Sequence, residues 1–146
     1  MLEQIQRRAT KYILSDYISD YKSKLVSLYL LPLMYSYELT DILLLIKSLK
    51  YPDSSFPVKN YITFSSSNNR FGHNMKLIHQ SSNFSIAHRT YFKRVVRLWN
   101  ALPPINLSLS LPSIKNQITE FMWTHFLKYF SPSNPCSFHQ ALWQVY

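Results

Sequence analysis

Apolar residues recur along this chain at helical spacing, in five separate stretches. Leu2, Ile5, Ala9, Tyr12 and Ile13 follow one another three or four apart or side by side, which places them on one face of an α-helix. Arg7, Arg8 and Lys11 fall mostly elsewhere on the same wheel. Ser19 or Asp20 is a suitable N-cap for a second, short helix through Leu25 and Leu28. Pro32 suits the first turn of a third helix that runs to about Lys50. Leu33, Tyr37, Leu44, Leu45 and Leu49 are expected to line much of its buried side. The segment YPDSSFP, 51–57, ends that helix.

The pattern fails over 58–84. Residues 61–64 suit a short strand, but the SSSNN and QSSN runs read as loop. Periodicity then returns strongly. Thr90 is placed to cap a fourth helix, and Pro103 stops it. On its wheel Tyr91, Phe92, Val95, Val96, Leu98, Trp99 and Leu102 gather on one side, with Arg89, Lys93, Arg94 and Arg97 almost opposite. A fifth helix follows Pro112, with Ile114, Ile118, Phe121, Met122, Phe126 and Tyr129 as its stripe, and SPSNP breaks it. The expected fold is mainly α: about five helices in a loose bundle, one long irregular connector and one short strand near 61–64. Four segments follow: helical 1–50, an irregular basic connector 51–88, a two-helix segment 89–130 and a disordered or divergent tail 131–146.

Charge changes the picture. The net charge is +9, and it is unevenly spread. Residues 1–58 carry seven Lys/Arg against six Asp/Glu. Residues 59–115 carry eight (Lys59, Arg70, Lys76, Arg89, Lys93, Arg94, Arg97, Lys115) and no acid. A one-signed stretch repels itself unless a polyanion or anionic surface lies against it. Phosphate contacts are expected from Arg89, Lys93, Arg94 and Arg97, with Arg70 and Lys76 added from the connector. Phe64, Phe71 and Phe84 lie among these charges, in a pattern that suits stacking on unpaired bases. A solvated basic face, and core packing for the aromatics, remain the competing readings.

Composition excludes much catalytic chemistry. Gly72 is the single glycine, so a P-loop, a G-x-G-x-x-G turn and a nucleophile elbow are all ruled out. The seven carboxylates include no adjacent Asp-Asp pair. Glu38 and Asp41 stand three apart on the third helix, a spacing that far more often marks solvated charges than a metal site. His73, His79, His88, His125 and His139 form neither an H-E-x-x-H motif nor zinc-finger spacing. No cofactor, metal site or small-molecule substrate is expected. The sole cysteine, Cys136, has no partner for an internal disulfide, which suits a reducing compartment. No apolar run approaches the roughly twenty residues that span a bilayer, and the first fourteen residues lack the uninterrupted apolar core of a secretory signal. An intracellular, non-secreted location, cytoplasm or nucleus, is expected.

Three segments also carry a resemblance. LEQIQRRATKYIL (2–14), the leucine-rich YKSKLVSLYLLPLMYSYELTDILLLIKSLK (21–50) and FKRVVRLWNALPP (92–104) resemble, in that order, the C-terminal end of non-LTR (LINE, jockey-like) retrotransposon reverse transcriptases. There an L-E-x-x-Q-R-R-A helix and an L-x-L-L-P-L tract follow the polymerase thumb, and an R-x-x-x-x-W-N-x-L-P box comes later. The box maps here onto Arg94, Trp99, Asn100, Leu102 and Pro103, and Arg97 lies within it.

The resemblance implies a non-catalytic fragment. The family's Tyr-x-Asp-Asp turn and its upstream Asp are not in this sequence. It further implies contact with RNA or DNA, association with the missing polymerase domains, and contact or packing roles for Trp99, Asn100, Leu102 and Pro103. The PCSFH segment (135–139) departs from the cysteine-rich tail of some relatives, which puts a metal-knuckle role in doubt. Two other readings stay open. One is a decayed fragment that binds nothing; the other is a basic helical module, unrelated to transposition, that meets an acidic partner or membrane.

Overall fold

The computed structural model describes residues 2–51, 58, 61–65, 76–79 and 86–131. The element order is α1 (Leu2–Leu14), α2 (Tyr21–Ser27), α3 (Leu33–Lys50), β1 (Ile62–Phe64), β2 (Leu77–His79), α4 (Ile86–Ala101) and α5 (Leu111–Tyr129). The fold is mainly α, with the five expected helices. β1 is the expected short strand. Its partner β2 lies within a connector read from sequence as irregular, and the two pair antiparallel with Phe64 opposite Leu77. Three-residue strands leave little alternation to detect, and only the pairing partner reveals them.

The chain divides into two compact units, residues 1–39 with 119–146, and residues 40–118. The division runs through α3 and α5.

The first unit is held by aromatic packing. Tyr21, Leu25, Tyr35, Met122, Phe126 and Phe130 are buried. Phe126 lies 5.0 Å from Phe130 and 6.2 Å from Tyr35, centroid to centroid, and Tyr29 stacks on Trp123 at 6.4 Å. Such ring pairs add about 0.5–1.5 kcal/mol each beyond the area they bury.

Asp20 caps α2 by accepting the Ser23 N–H. With glycine almost absent, other residues close the helices. Ser15 (φ 49°) ends α1 and Tyr29 (φ 52°) ends α2, both in the left-handed region. In each turn the bonding is that of a Schellman motif: Asp16 N–H to Lys11 O and Ser15 N–H to Tyr12 O, then Leu30 N–H to Leu25 O and Tyr29 N–H to Val26 O. A Cβ in that conformation costs about 1–2 kcal/mol.

α1 presents the opposite side from the one its pattern suggests. Leu2, Ile5, Tyr12 and Ile13 are exposed, whereas Thr10 is buried. The reason lies in hydrogen bonding. Gln6 Nε2 donates to Leu31 O (3.0 Å) and its Oε1 accepts the Leu33 N–H at the start of α3 (3.0 Å). The Tyr21 hydroxyl lies 2.6 Å from both Gln6 Oε1 and Glu3 Oε1, and Arg7 covers the Tyr21 ring at 4.8 Å. The polar side of α1 satisfies backbone and hydroxyl groups that burial would otherwise leave unpaired.

The buried side of α3 also differs from expectation. Tyr35, Glu38, Ile42, Leu45, Ile46 and Ser48 are buried, while Tyr37 and Leu44 are exposed. Apolar residues surround this helix on nearly every side, so periodicity alone does not select a face.

The second unit buries Val58, Tyr61, Ile62, Leu77, Phe92, Val95, Leu98, Trp99, Leu102, Ile105, Ile114 and Ile118. Tyr61 stacks on Phe92 with centroids 4.3 Å apart and planes at 14°. α4 starts at Ile86 rather than after Thr90, so Thr90 lies inside the helix. Nothing in 86–90 is Gly or Pro to prevent that. In the α5 stripe Ile114, Ile118, Met122 and Phe126 are buried, whereas Phe121 is half-buried and Tyr129 exposed.

Candidate nucleic-acid interface

α4 is amphipathic in the way the sequence predicts. Phe92, Val95, Val96, Leu98 and Trp99 are buried, whereas Lys93, Arg94 and Arg97 are exposed. Lys93 and Arg97 are one turn apart, so their cationic ends share a side of the helix.

Arg94 is engaged within its own unit. Its Nε donates to Asp41 Oδ2 at 2.9 Å, and its guanidinium closes an ion pair with the same oxygen at 2.6 Å. The Tyr91 hydroxyl donates to the Asp41 carbonyl at 3.0 Å. Burial, and next the Asp41 charge, raise the Tyr91 ionisation well above that of an ordinary phenol, with Arg94 opposing. Asp41, paired on sequence spacing with Glu38, therefore belongs to a clamp on α4. Glu38 is buried.

The remaining predicted contacts are placed as follows. Lys76 is half-buried and its carbonyl accepts the Ser65 N–H at 2.7 Å. Arg89 lies on α4, and its side chain is outside the described residues, as is all of Arg70. Phe64 is exposed on β1, whereas Phe71 and Phe84 fall outside the described residues, as do Cys136 and His139.

Two cations were missed. Lys47 on α3 and Lys115 on α5 are exposed and line one open cleft of about 530 Å³ with Thr40, Leu43, Leu44, Leu111 and Pro112. Lys115 belongs to the basic stretch 59–115 but not to the expected contacts, and Lys47 lies outside that stretch. Only tertiary packing brings them to one cleft.

The W-N-x-L-P residues are architectural. Trp99 and Leu102 are buried, and Pro103 is exposed just past the end of α4. Asn100 Oδ1 accepts the Leu77 N–H at 2.9 Å and its Nδ2 donates to the Leu77 carbonyl at 3.0 Å. One side-chain amide thus satisfies both backbone groups of a β2 residue, as a neighbouring strand would. That fastens the hairpin to α4.

Among the described residues no three or more His, Cys, Asp or Glu side chains gather where a metal ion could be held. His125 is buried, its Nδ1 3.2 Å from the Tyr35 hydroxyl, and burial then Lys128 lower its pKa. Also among the described residues, no helix is long and apolar enough to cross a membrane. Comparison with protein-family models, curated proteins and solved structures finds no match to this chain.

Proposed function

We propose that this chain is a non-catalytic C-terminal fragment of a non-LTR retrotransposon reverse transcriptase, an RNA-directed DNA polymerase. In this reading its second unit contacts the backbone of RNA or DNA through α4. The observation that carries the contact is the concentration of charge. Residues 40–118 hold ten of the sixteen Lys/Arg and two of the seven Asp/Glu, and α4 exposes Lys93 and Arg97 opposite its buried apolar side. Phosphate neutralisation needs such a surface and no sequence-specific geometry.

The ancestry rests on the order of the three sequence segments. It is supported by the coherent role of the W-N-x-L-P residues, which close α4 and anchor the hairpin. The polymerase aspartates belong to the missing domains, with which the fragment is expected to associate. The reading places the protein inside the cell, in cytoplasm or nucleus, where such a nucleic acid is found.

The test is fluorescence anisotropy with labelled single-stranded RNA and DNA over a range of salt. Affinity should fall with a log–log slope of about −0.7 per phosphate neutralised. The double substitution Lys93→Gln/Arg97→Gln should flatten the slope by about 1.4, twice that value. A slope unchanged by it removes α4 from the interface.

A further inference from the structure

The solvent side of α1 is apolar. Leu2, Ile5, Tyr12 and Ile13 are 53%, 57%, 72% and 65% exposed, and Ala9 is exposed between them. The turn after the helix adds Tyr17 and Ile18, the latter 98% exposed. Tyr12 and Tyr17 meet edge to face at 6.4 Å, so helix and turn offer neighbouring rings.

Charge borders this stripe on one side. Arg8 and Lys11 are exposed; on the wheel Arg8 lies about 40° from Tyr12 and Lys11 about 60° beyond it. The only carboxylate of α1, Glu3, is half-buried with its Oε1 against the Tyr21 hydroxyl. Asp16 accepts the N–H groups of Ile18 and Ser19, and Asp20 accepts that of Ser23. Along α1 itself the exposed charges are therefore positive, while Asp16 and Asp20, held ionised by these bonds, lie past the end of the helix.

We propose that α1 and the turn at 15–19 form an interfacial docking surface for an anionic lipid bilayer. The helix lies in the plane of the headgroups, with Leu2, Ile5 and Ile13 entering the acyl boundary. An apolar face bordered by Arg and Lys is the chemistry that binds such a surface. Tyr12, Tyr17 and the two cations stay at headgroup level, where amphipathic rings and long basic side chains are favoured.

Two other occupants fit less well. Aliphatic side chains neither stack on bases nor bind phosphate, so nucleic acid leaves the stripe unburied. In an antiparallel pairing with a second copy, two-fold symmetry sets the Arg8/Lys11 flank against its own equivalent, and like charges meet.

The experiment is co-sedimentation of the full chain, free of nucleic acid, with phosphatidylcholine vesicles with and without phosphatidylserine. The chain should pellet with the anionic vesicles and weakly with the neutral ones. Ile5→Ser/Ile13→Ser, at exposed positions, should lower the bound fraction at least about tenfold, as expected for two lost apolar insertions, with helical circular dichroism unchanged. Arg8→Gln/Lys11→Gln should abolish the preference for phosphatidylserine. Pelleting unaffected by either α1 variant overturns the proposal. So does a loss that instead follows Lys93→Gln/Arg97→Gln, which would assign binding to α4. A dimer in sedimentation equilibrium that Ile5→Ser/Ile13→Ser dissolves, with no vesicle binding, overturns it in favour of a second copy. None of these outcomes depends on the nucleic-acid reading.

Discussion

The two compact units are built from the same chain on different terms. Residues 1–39 with 119–146 carry six Lys/Arg against five Asp/Glu, and residues 40–118 carry ten against two. The first is nearly neutral. It buries clustered rings together with Lys24, Glu38 and His125, and leaves the apolar stripe of α1 in solvent. The second hides a largely aliphatic core, with Trp99 and Phe92 at its centre, and exposes cations. Surplus charge and surplus exposed apolar area occur in different units.

Core truncations should give the largest effects. Trp99→Ala and Phe126→Ala are each expected to cost about 3–5 kcal/mol in urea unfolding, the range for large aromatic side chains replaced in packed cores. If each unit depends on its own rings, the affinity for single-stranded RNA should suffer more from Trp99→Ala at matched fraction folded. Equal loss from Phe126→Ala would break the separation of roles.

Acidification should strike the first unit. His125 has its pKa lowered by burial, so the unfolded chain binds a proton more readily there. Its contribution to stability is whole above the unfolded value of about 6.5 and declines as pH falls below it. Denaturant midpoints should therefore drop between about pH 7 and 5, and His125→Gln should flatten that drop.

A smaller effect sharpens the account of the second unit. Asp41→Asn releases Arg94 from its ion pair and should steepen the salt dependence of nucleic-acid binding by about 0.7, one more phosphate. The stability loss should stay at about 0.2–1 kcal/mol, since Arg94 is 44% exposed. An unchanged slope would mean that Arg94 serves the clamp alone.

The smallest expected change is a gain. Ser15→Gly relieves a left-handed Cβ at the end of α1 and should stabilise the chain by about 0.5–1 kcal/mol in thermal melts. A loss would mean that the Ser15 side chain supports that turn.

Two of the five periodic signals were legible without coordinates. Phe92, Val95, Leu98 and Trp99 lie where the wheel puts them, and so do Ile114, Ile118, Met122 and Phe126, because each stripe is wide enough to determine a face. α3 was not legible in this way: leucines and tyrosines on all sides leave several faces equally apolar. α1 misled for a different cause. Its pattern is clean, but Gln6, Glu3 and Thr10 are directed inward, Gln6 and Glu3 to meet groups from α2 and the turn before α3 that no local window contains.

The candidate interface divides along the same line. Lys93 and Arg97 follow from helical phase, and the surplus of positive charge follows from composition. That Arg94 is held by Asp41, fifty-three residues away in the chain, does not. Nor do the pairing of β1 with β2, the grip of Asn100 on Leu77, or the meeting of Lys47 and Lys115 at one cleft.

The sequence by itself determined the helices, where they end, the sign of the charge and its crowding into the later part of the chain. These depend on neighbours within one or two turns and on simple counts. The tertiary structure decided which sides of α1 and α3 are buried and which cations remain open to an anion. Those outcomes hinge on hydrogen bonds and ion pairs between residues far apart in sequence, and their partners exist only once the chain has folded.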